Sequence, residues 1–245
     1  MYPRTMGSLT ALLVATPIWG FSLSLDPSVG VGTPGGGPAP LAAAVAVAAD
    51  EASSGAAANE DDAPSAPTTA ELMQRRGRLA KVHRALGIAT WASMTGTVIL
   101  GYLQYWNLYG MFSSLGNTPC VQGDAIFGQR SCIRQPVPHL VSSVLTTALY
   151  SVTFGLSLAM PDPLHLSDGT GAYARKLRRH KRLRWVHLAG MVAQMGLGLI
   201  LANSDTFGLS RANDYRTLQA LSTVHLGLGL MTYVALTWAG ALFLF

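Results

Sequence analysis

Charged side chains are scarce in this chain, and in four long stretches they are missing altogether. They make up 12% of the residues, and Ala85 to Gln104, His139 to Met160, Trp185 to Ala202 and Ser222 to Phe245 contain no Asp, Glu, Lys or Arg. A soluble surface cannot be built from such segments, and an ion-relaying transporter would have no carboxylate or ammonium within its spans to carry the charge. Cysteine is nearly absent as well: Cys120 and Cys132 are the only two. Two thiols are too few for a cysteine-based zinc site, and neither belongs to a CxxCH motif, so covalently attached c-type haem is not indicated. Lys and Arg are missing from Asp26 to Glu71, a stretch rich in Ala, Gly, Pro and Ser that cannot bury enough apolar surface to fold alone.

What is present instead is apolar sequence, 49% of all residues. Each of the four uncharged runs falls within the roughly 17 to 25 residues that a bilayer-spanning helix requires. Helices are the only option for them, because lipid cannot satisfy exposed backbone groups and none of the runs alternates like a barrel strand. Tyr105, Trp106 and Tyr109 after the first run and Trp185 at the start of the third sit where aromatic residues meet headgroups. The expected fold is an all-α membrane protein, an up-down-up-down four-helix transmembrane bundle over residues 75–245, preceded by a disordered N-terminal region.

The net charge of +5 is unevenly placed. Arg75, Arg76, Arg78, Lys81 and Arg84 precede the first run, and seven more basic residues lie in RKLRRHKRLR, from Arg175 to Arg184, in what reads as a loop. The other two loops carry only Arg130, Arg134, Arg211 and Arg216. This asymmetry assigns the basic ends to the cytoplasm of a bacterial inner membrane and the Cys120/Cys132 loop to the periplasm. No nucleic-acid recognition fold accompanies the charge, so membrane lipid is the expected partner of the basic residues and no nucleic acid is.

Residues 1–25, with Arg4 and the apolar TALLVATPIWGFSLSL, resemble a secretory signal or a short anchor, and 26–74 read as a disordered linker. A cleaved signal would put the mature N-terminus outside, against the basic flank before His83. An uncleaved extra helix, or a start near Met73, would remove that conflict. Cys120 and Cys132, opposite the basic ends, read as a disulfide in an oxidising compartment or as two free thiols.

His83, His139, His187 and His225 each lie at or near the start of an apolar run. Polar side chains inside a membrane are costly and read as functional. With alternating helix directions, His83 and His187 share the basic level, and His139 and His225 the other. Two imidazoles facing across a bundle core can hold a haem iron from both sides, whereas two alone make a poor zinc site. A small residue follows three or four positions later, at Gly87, Ser143, Gly190 and Gly229, and Thr90, Thr146, Gln194 or Thr232 follows at seven. Such residues clear room for a porphyrin, or serve close helix packing alone. His165 and His180 fall outside the runs, and His180, within RRHKR, reads as a solvated loop residue.

VHRALGIATWASMTGTVILGY, HLVSSVLTTALYSVTFG, RWVHLAGMVAQMGLG and STVHLGLGLMTYVALTWAG resemble the four core helices of the cytochrome b561 superfamily. The resemblance implies two haem b groups, one held by His83 and His187 and the other by His139 and His225, at levels on the order of 20 Å apart for a rise of about 1.5 Å per residue. It also implies b561-type oxidoreductase activity, with quinol or another small reductant such as ascorbate as donor and a redox partner protein as a possible acceptor. Familiar members have further helices, and the residues that bind ascorbate in that family do not map onto this chain, which leaves the donor open. The expected function is transmembrane electron transfer. The alternative is a non-catalytic anchor or assembly subunit of a respiratory or photosynthetic complex.

Overall fold

The computed structural model describes residues 66–133 and 137–244, and all of the regular structure among them is helical. The signal-like or anchor segment and most of the expected linker lie outside the described residues. Four long helices dominate: α1 (Thr69–Tyr109, 41 residues), α2 (Val137–Ala159, 23 residues), α3 (Ala172–Ala202, 31 residues) and α4 (Tyr215–Leu244, 30 residues). Each is long and apolar enough to cross a membrane, so the chain is an all-α integral membrane protein with a four-helix bundle.

Two expectations about helix limits are corrected. Residues 69–74, assigned to the linker, are the first turns of α1. Thr68 is the N-cap: its hydroxyl accepts from the Glu71 N–H at 3.3 Å while the Glu71 carboxylate accepts from the Thr68 N–H at 2.7 Å, the reciprocal pair of a capping box. The RKLRRHKRLR segment is helical too, because α3 begins at Ala172. Hydropathy marks only the part of a helix that lies in lipid, and both helices continue beyond it. Only His139 therefore sits in a first turn, while His83, His187 and His225 lie deeper within their helices. At the other end of α1, Gly110 takes φ +50°, which ends the helix in the left-handed conformation that glycine adopts without penalty.

The closest helix pairs are α1–α2, α3–α4 and α1–α4. The α2–α3 edge is closed by side chains: Phe154 meets Trp185 with ring centres 5.8 Å apart, and Arg184 donates to the Ser157 carbonyl at 3.3 Å. Met94, Tyr150 and Met191 from α1, α2 and α3 form a buried cluster, with Leu236 of α4 against it. Short hydroxyls tie α1 to α2, through Thr90–Thr153 at 3.1 Å and through Ser93 and Thr97, both bonded to Thr146 at 2.7 and 2.8 Å. Interhelical bonds of this kind are worth roughly 0.6–2 kcal/mol each in a membrane.

Cys120 and Cys132 form a disulfide, with Cα atoms 5.6 Å apart. The same α1–α2 connection is anchored to the bundle by Asn107, which is fully buried and exchanges hydrogen bonds with Ile126 through both ends of its amide, at 2.8 and 2.9 Å. At the opposite end, Asp162 holds the α2–α3 connection to two helices. Its carboxylate meets Lys181 of α3 at 3.1 Å and Arg76 of α1 at 3.4 Å.

Two predictions follow from this packing. A methyl group at Gly190 would lie 2.1 Å from the Thr232 hydroxyl oxygen, so Gly190→Ala should separate α3 from α4 and cost about 1–3 kcal/mol. Thermal unfolding in detergent should show the loss, and adding Thr232→Ala should recover much of it. Burial works to raise the Asp162 pKa, but the Leu166 N–H, Lys181 and Arg76 outweigh it and hold the carboxyl below its usual range. The clamp is therefore complete above the ordinary carboxylate pKa and is lost as pH falls through the lowered value. The melting-temperature gap between wild type and Asp162→Asn should be constant near neutrality and close below about pH 4.

Candidate functional site: two facing histidine pairs

Six histidines occur in the chain, and four of them form two pairs. His139 of α2 faces His225 of α4 with ring centres 6.3 Å apart and planes at 88°. His83 of α1 faces His180 of α3 at 6.1 Å and 89°. The structure thus brings together His139 and His225 as the sequence suggests, and it keeps the expected pairing of first with third helix. The histidine of α3 that faces His83 is His180, two turns before His187.

Each ring is held by a neighbouring helix. His83 Nδ1 lies 3.0 Å from the Thr153 carbonyl, His139 Nδ1 lies 3.2 Å from the Thr97 carbonyl, and His180 Nδ1 lies 3.0 Å from the Ala239 carbonyl. A carbonyl oxygen only accepts, so these three rings carry their proton on Nδ1 and keep the Nε2 lone pair free. That is the tautomer of a metal-ligating imidazole, whose other nitrogen usually donates to a carbonyl or carboxylate. His225 differs, since its Nδ1 is buried without a partner.

His187 is engaged elsewhere. Its Nδ1 is 2.8 Å from the Tyr150 hydroxyl, and the ring is 6% exposed.

A common register explains the substitution. Fourteen residues after His83, His139 and His225 come Thr97, Thr153 and Ala239, whose carbonyls receive the rings of His139, His83 and His180. Seven residues after His83, His139 and His225 come Thr90, Thr146 and Thr232, and seven after His180 comes His187. All four of these side chains are buried. Eleven residues on are Met94, Tyr150, Leu236 and, counted from His180, Met191, which together make the central apolar cluster. His187 therefore occupies the threonine position of its helix. His180, expected to be a solvated loop residue, is instead half-buried within α3, and the basic residues around it conceal the spacing.

Glycines lie against two of the rings. A methyl group at Gly101 would lie 2.9 Å from His139 Cε1 and force the ring to move, whereas one at Gly198 would only touch His225 Cε1 at an ordinary 3.5 Å. The small residues singled out from the sequence are placed otherwise. Gly190 admits Thr232, Gly229 adjoins Gln194, Gly87 lies opposite Thr153, and the Ser143 hydroxyl donates to the His139 carbonyl at 2.7 Å. Gln194 donates to the His225 carbonyl at 2.7 Å.

The chain matches no protein-family model, no curated protein and no solved structure. Among the described residues, no group of three or more His, Cys, Asp and Glu converges to hold a metal ion, so a metal at either pair would need its remaining ligands from another molecule. The ring spacing suits an ion between two imidazoles: two metal–nitrogen bonds of about 2 Å, plus the distance from each nitrogen to its ring centre, give roughly 6 Å. The donor set fits a group that brings its own equatorial ligands. Two arginines also retain unused donors, since Arg184 Nε and Arg211 Nε are buried without a partner.

Nitrogen NMR of the chain labelled at histidine provides a check. His83, His139 and His180 should appear as the Nδ1-protonated tautomer at neutral pH. Gly101→Ala should shift the His139 signal and leave the His83 and His180 signals in place.

Proposed function

We propose that this protein is a membrane cytochrome that carries single electrons across the bilayer through two b-type haems. His83 and His180 would hold one haem, and His139 and His225 the other. The observation that carries the reading is the pair of facing imidazoles at each of two levels, with three of the four rings committed through Nδ1 to backbone carbonyls.

When bound, the haem supplies reversible one-electron chemistry. The chain supplies ligation and orientation. Each carbonyl bond fixes a ring and raises the basicity of its Nε2. The fourteen residues between His83 and Thr97, at about 1.5 Å each, separate the two levels by roughly 21 Å. Met94, Tyr150, Met191 and Leu236 lie between those levels and exclude water. The unpartnered N–H groups of Arg184 and Arg211 suit the carboxylates of a haem.

With the basic ends of α1 and α3 in the cytoplasm of a bacterial inner membrane, the Cys120–Cys132 disulfide lies in the oxidising periplasm, where such a bond persists. Quinol or an ascorbate-like reductant is the proposed class of donor, and a redox protein docking at the disulfide-bearing connection is the proposed acceptor.

Haem content and reduced-minus-oxidised spectra of the purified chain test the proposal. Two b-type haems per chain are expected. His83→Ala and His180→Ala should each remove one and the same haem, His139→Ala and His225→Ala the other, and His187→Ala should leave both. If His187→Ala rather than His180→Ala empties the site shared with His83, the pairing first read from the apolar runs is the correct one. A colourless, folded chain would overturn the electron-carrier reading in favour of an anchor or assembly subunit.

A further inference from the structure

Arg175, Arg178, Arg179 and Arg182 line a surface cleft of about 260 Å³ at the start of α3. Their spacing of three, four and seven residues places all four on one face of the helix. Local physics opposes this arrangement. The N-terminal end of a helix already carries partial positive charge, and cations three or four residues apart repel one another. Gly171, the N-cap, supplies no side chain to offset it. Such a conflict between sequence and local preference marks a place where function sets the residues.

The cleft is also organised in advance. The Arg175 guanidinium donates to the Thr170 carbonyl, and that of Arg178 donates to the carbonyls of Ser167 and Gly169. Three carbonyls of one connection therefore fix two guanidiniums beside the cleft. Arg179 and Arg182 are exposed and have no partner among the described residues. Both present forked donors of the shape that binds phosphate oxygens. The α2–α3 connection carries two carboxylates: Asp162 is occupied by Lys181 and Arg76, and Asp168 accepts from the Ser167 hydroxyl at 3.2 Å and forms no ion pair with these arginines.

Position decides the source of the phosphate. Tyr173, 52% exposed, and Trp185, 53% exposed, flank the arginines along the same helix, as aromatic residues do at the headgroup level. Beyond Trp185 the helix is uncharged to Ala202. A molecule seated in the cleft with an apolar tail would lie along the outer surface of α3.

We infer that this four-arginine cleft is a binding site for the phosphate of an acidic glycerophospholipid. The site is independent of the haem proposal and needs only that α3 crosses a membrane. Two arginines hold fixed positions, and the other two close on the headgroup, whose negative charge offsets the repulsion along the helix.

The test uses the full chain in lipid nanodiscs of phosphatidylcholine with a minor fraction of phosphatidylglycerol, and measures by native mass spectrometry which lipid stays bound. Wild type should retain phosphatidylglycerol selectively. Arg179→Gln with Arg182→Gln should weaken that selectivity by about fivefold for each arginine removed. A charge-matched control, Arg75→Gln with Arg78→Gln, removes two exposed cations of α1 and should leave it unchanged. Equal loss in the control would show that diffuse charge is responsible and would overturn the site. Unchanged retention in the α3 double variant would do the same, and so would displacement of the lipid by inorganic phosphate alone, which would make free phosphate the ligand.

Discussion

An imidazole drawn into a helix bundle has two nitrogens to account for, and the architecture of this bundle follows from how that requirement is met. In His83, His139 and His180 one nitrogen donates to a carbonyl on a neighbouring helix, at 3.0–3.2 Å. The other is left with a lone pair and no proton. For this to occur in a helix whose carbonyls already serve their own N–H groups, the neighbour must come close enough to offer a second lone pair. Gly101 makes that approach possible for His139, since any side chain there would strike the ring. The bonds between α1 and α2 are reciprocal: His83 reaches a carbonyl of α2, and His139 reaches a carbonyl of α1.

The seven- and fourteen-residue spacings express one constraint in four helices. Positions seven apart lie on one face two turns along. Once a histidine is set at one level, the next inward position on that face is a buried threonine, or His187 in α3. The following one belongs to the apolar cluster of Met94, Tyr150, Met191 and Leu236. Tyr150 breaks the apolar pattern with its hydroxyl, which is hydrogen-bonded to His187 Nδ1 at 2.8 Å. The two departures from the register thus satisfy each other.

Much of this was legible in the chain. The uncharged runs identified four spans because lipid excludes charge, and the antiparallel order placed His139 with His225. The helix limits were less visible. Hydropathy reports burial in lipid and is silent where α1 and α3 continue into water, although Thr68 and Glu71 carried a capping signal for α1. The place of His180 is hidden by the basic residues that surround it. Charged neighbours made it look solvated, whereas its spacing to His187 and Met191 matches that of His83 to Thr90 and Met94. The small residues after each histidine were harder to interpret, because glycine clears space for a ring and for a helix alike. Only the structure shows that Gly190 admits Thr232, while Gly101 and Gly198 face the imidazoles.

The central proposal is that each of these crossed pairs would hold one haem. Electron paramagnetic resonance of the ferric protein tests it most directly, because the angle between two axial imidazole planes governs the anisotropy of a low-spin iron signal. With planes at 88° and 89°, the account predicts two strongly anisotropic low-spin signals per chain. Spectra without low-spin iron, or with only the weakly anisotropic signals of near-parallel imidazoles, would contradict it.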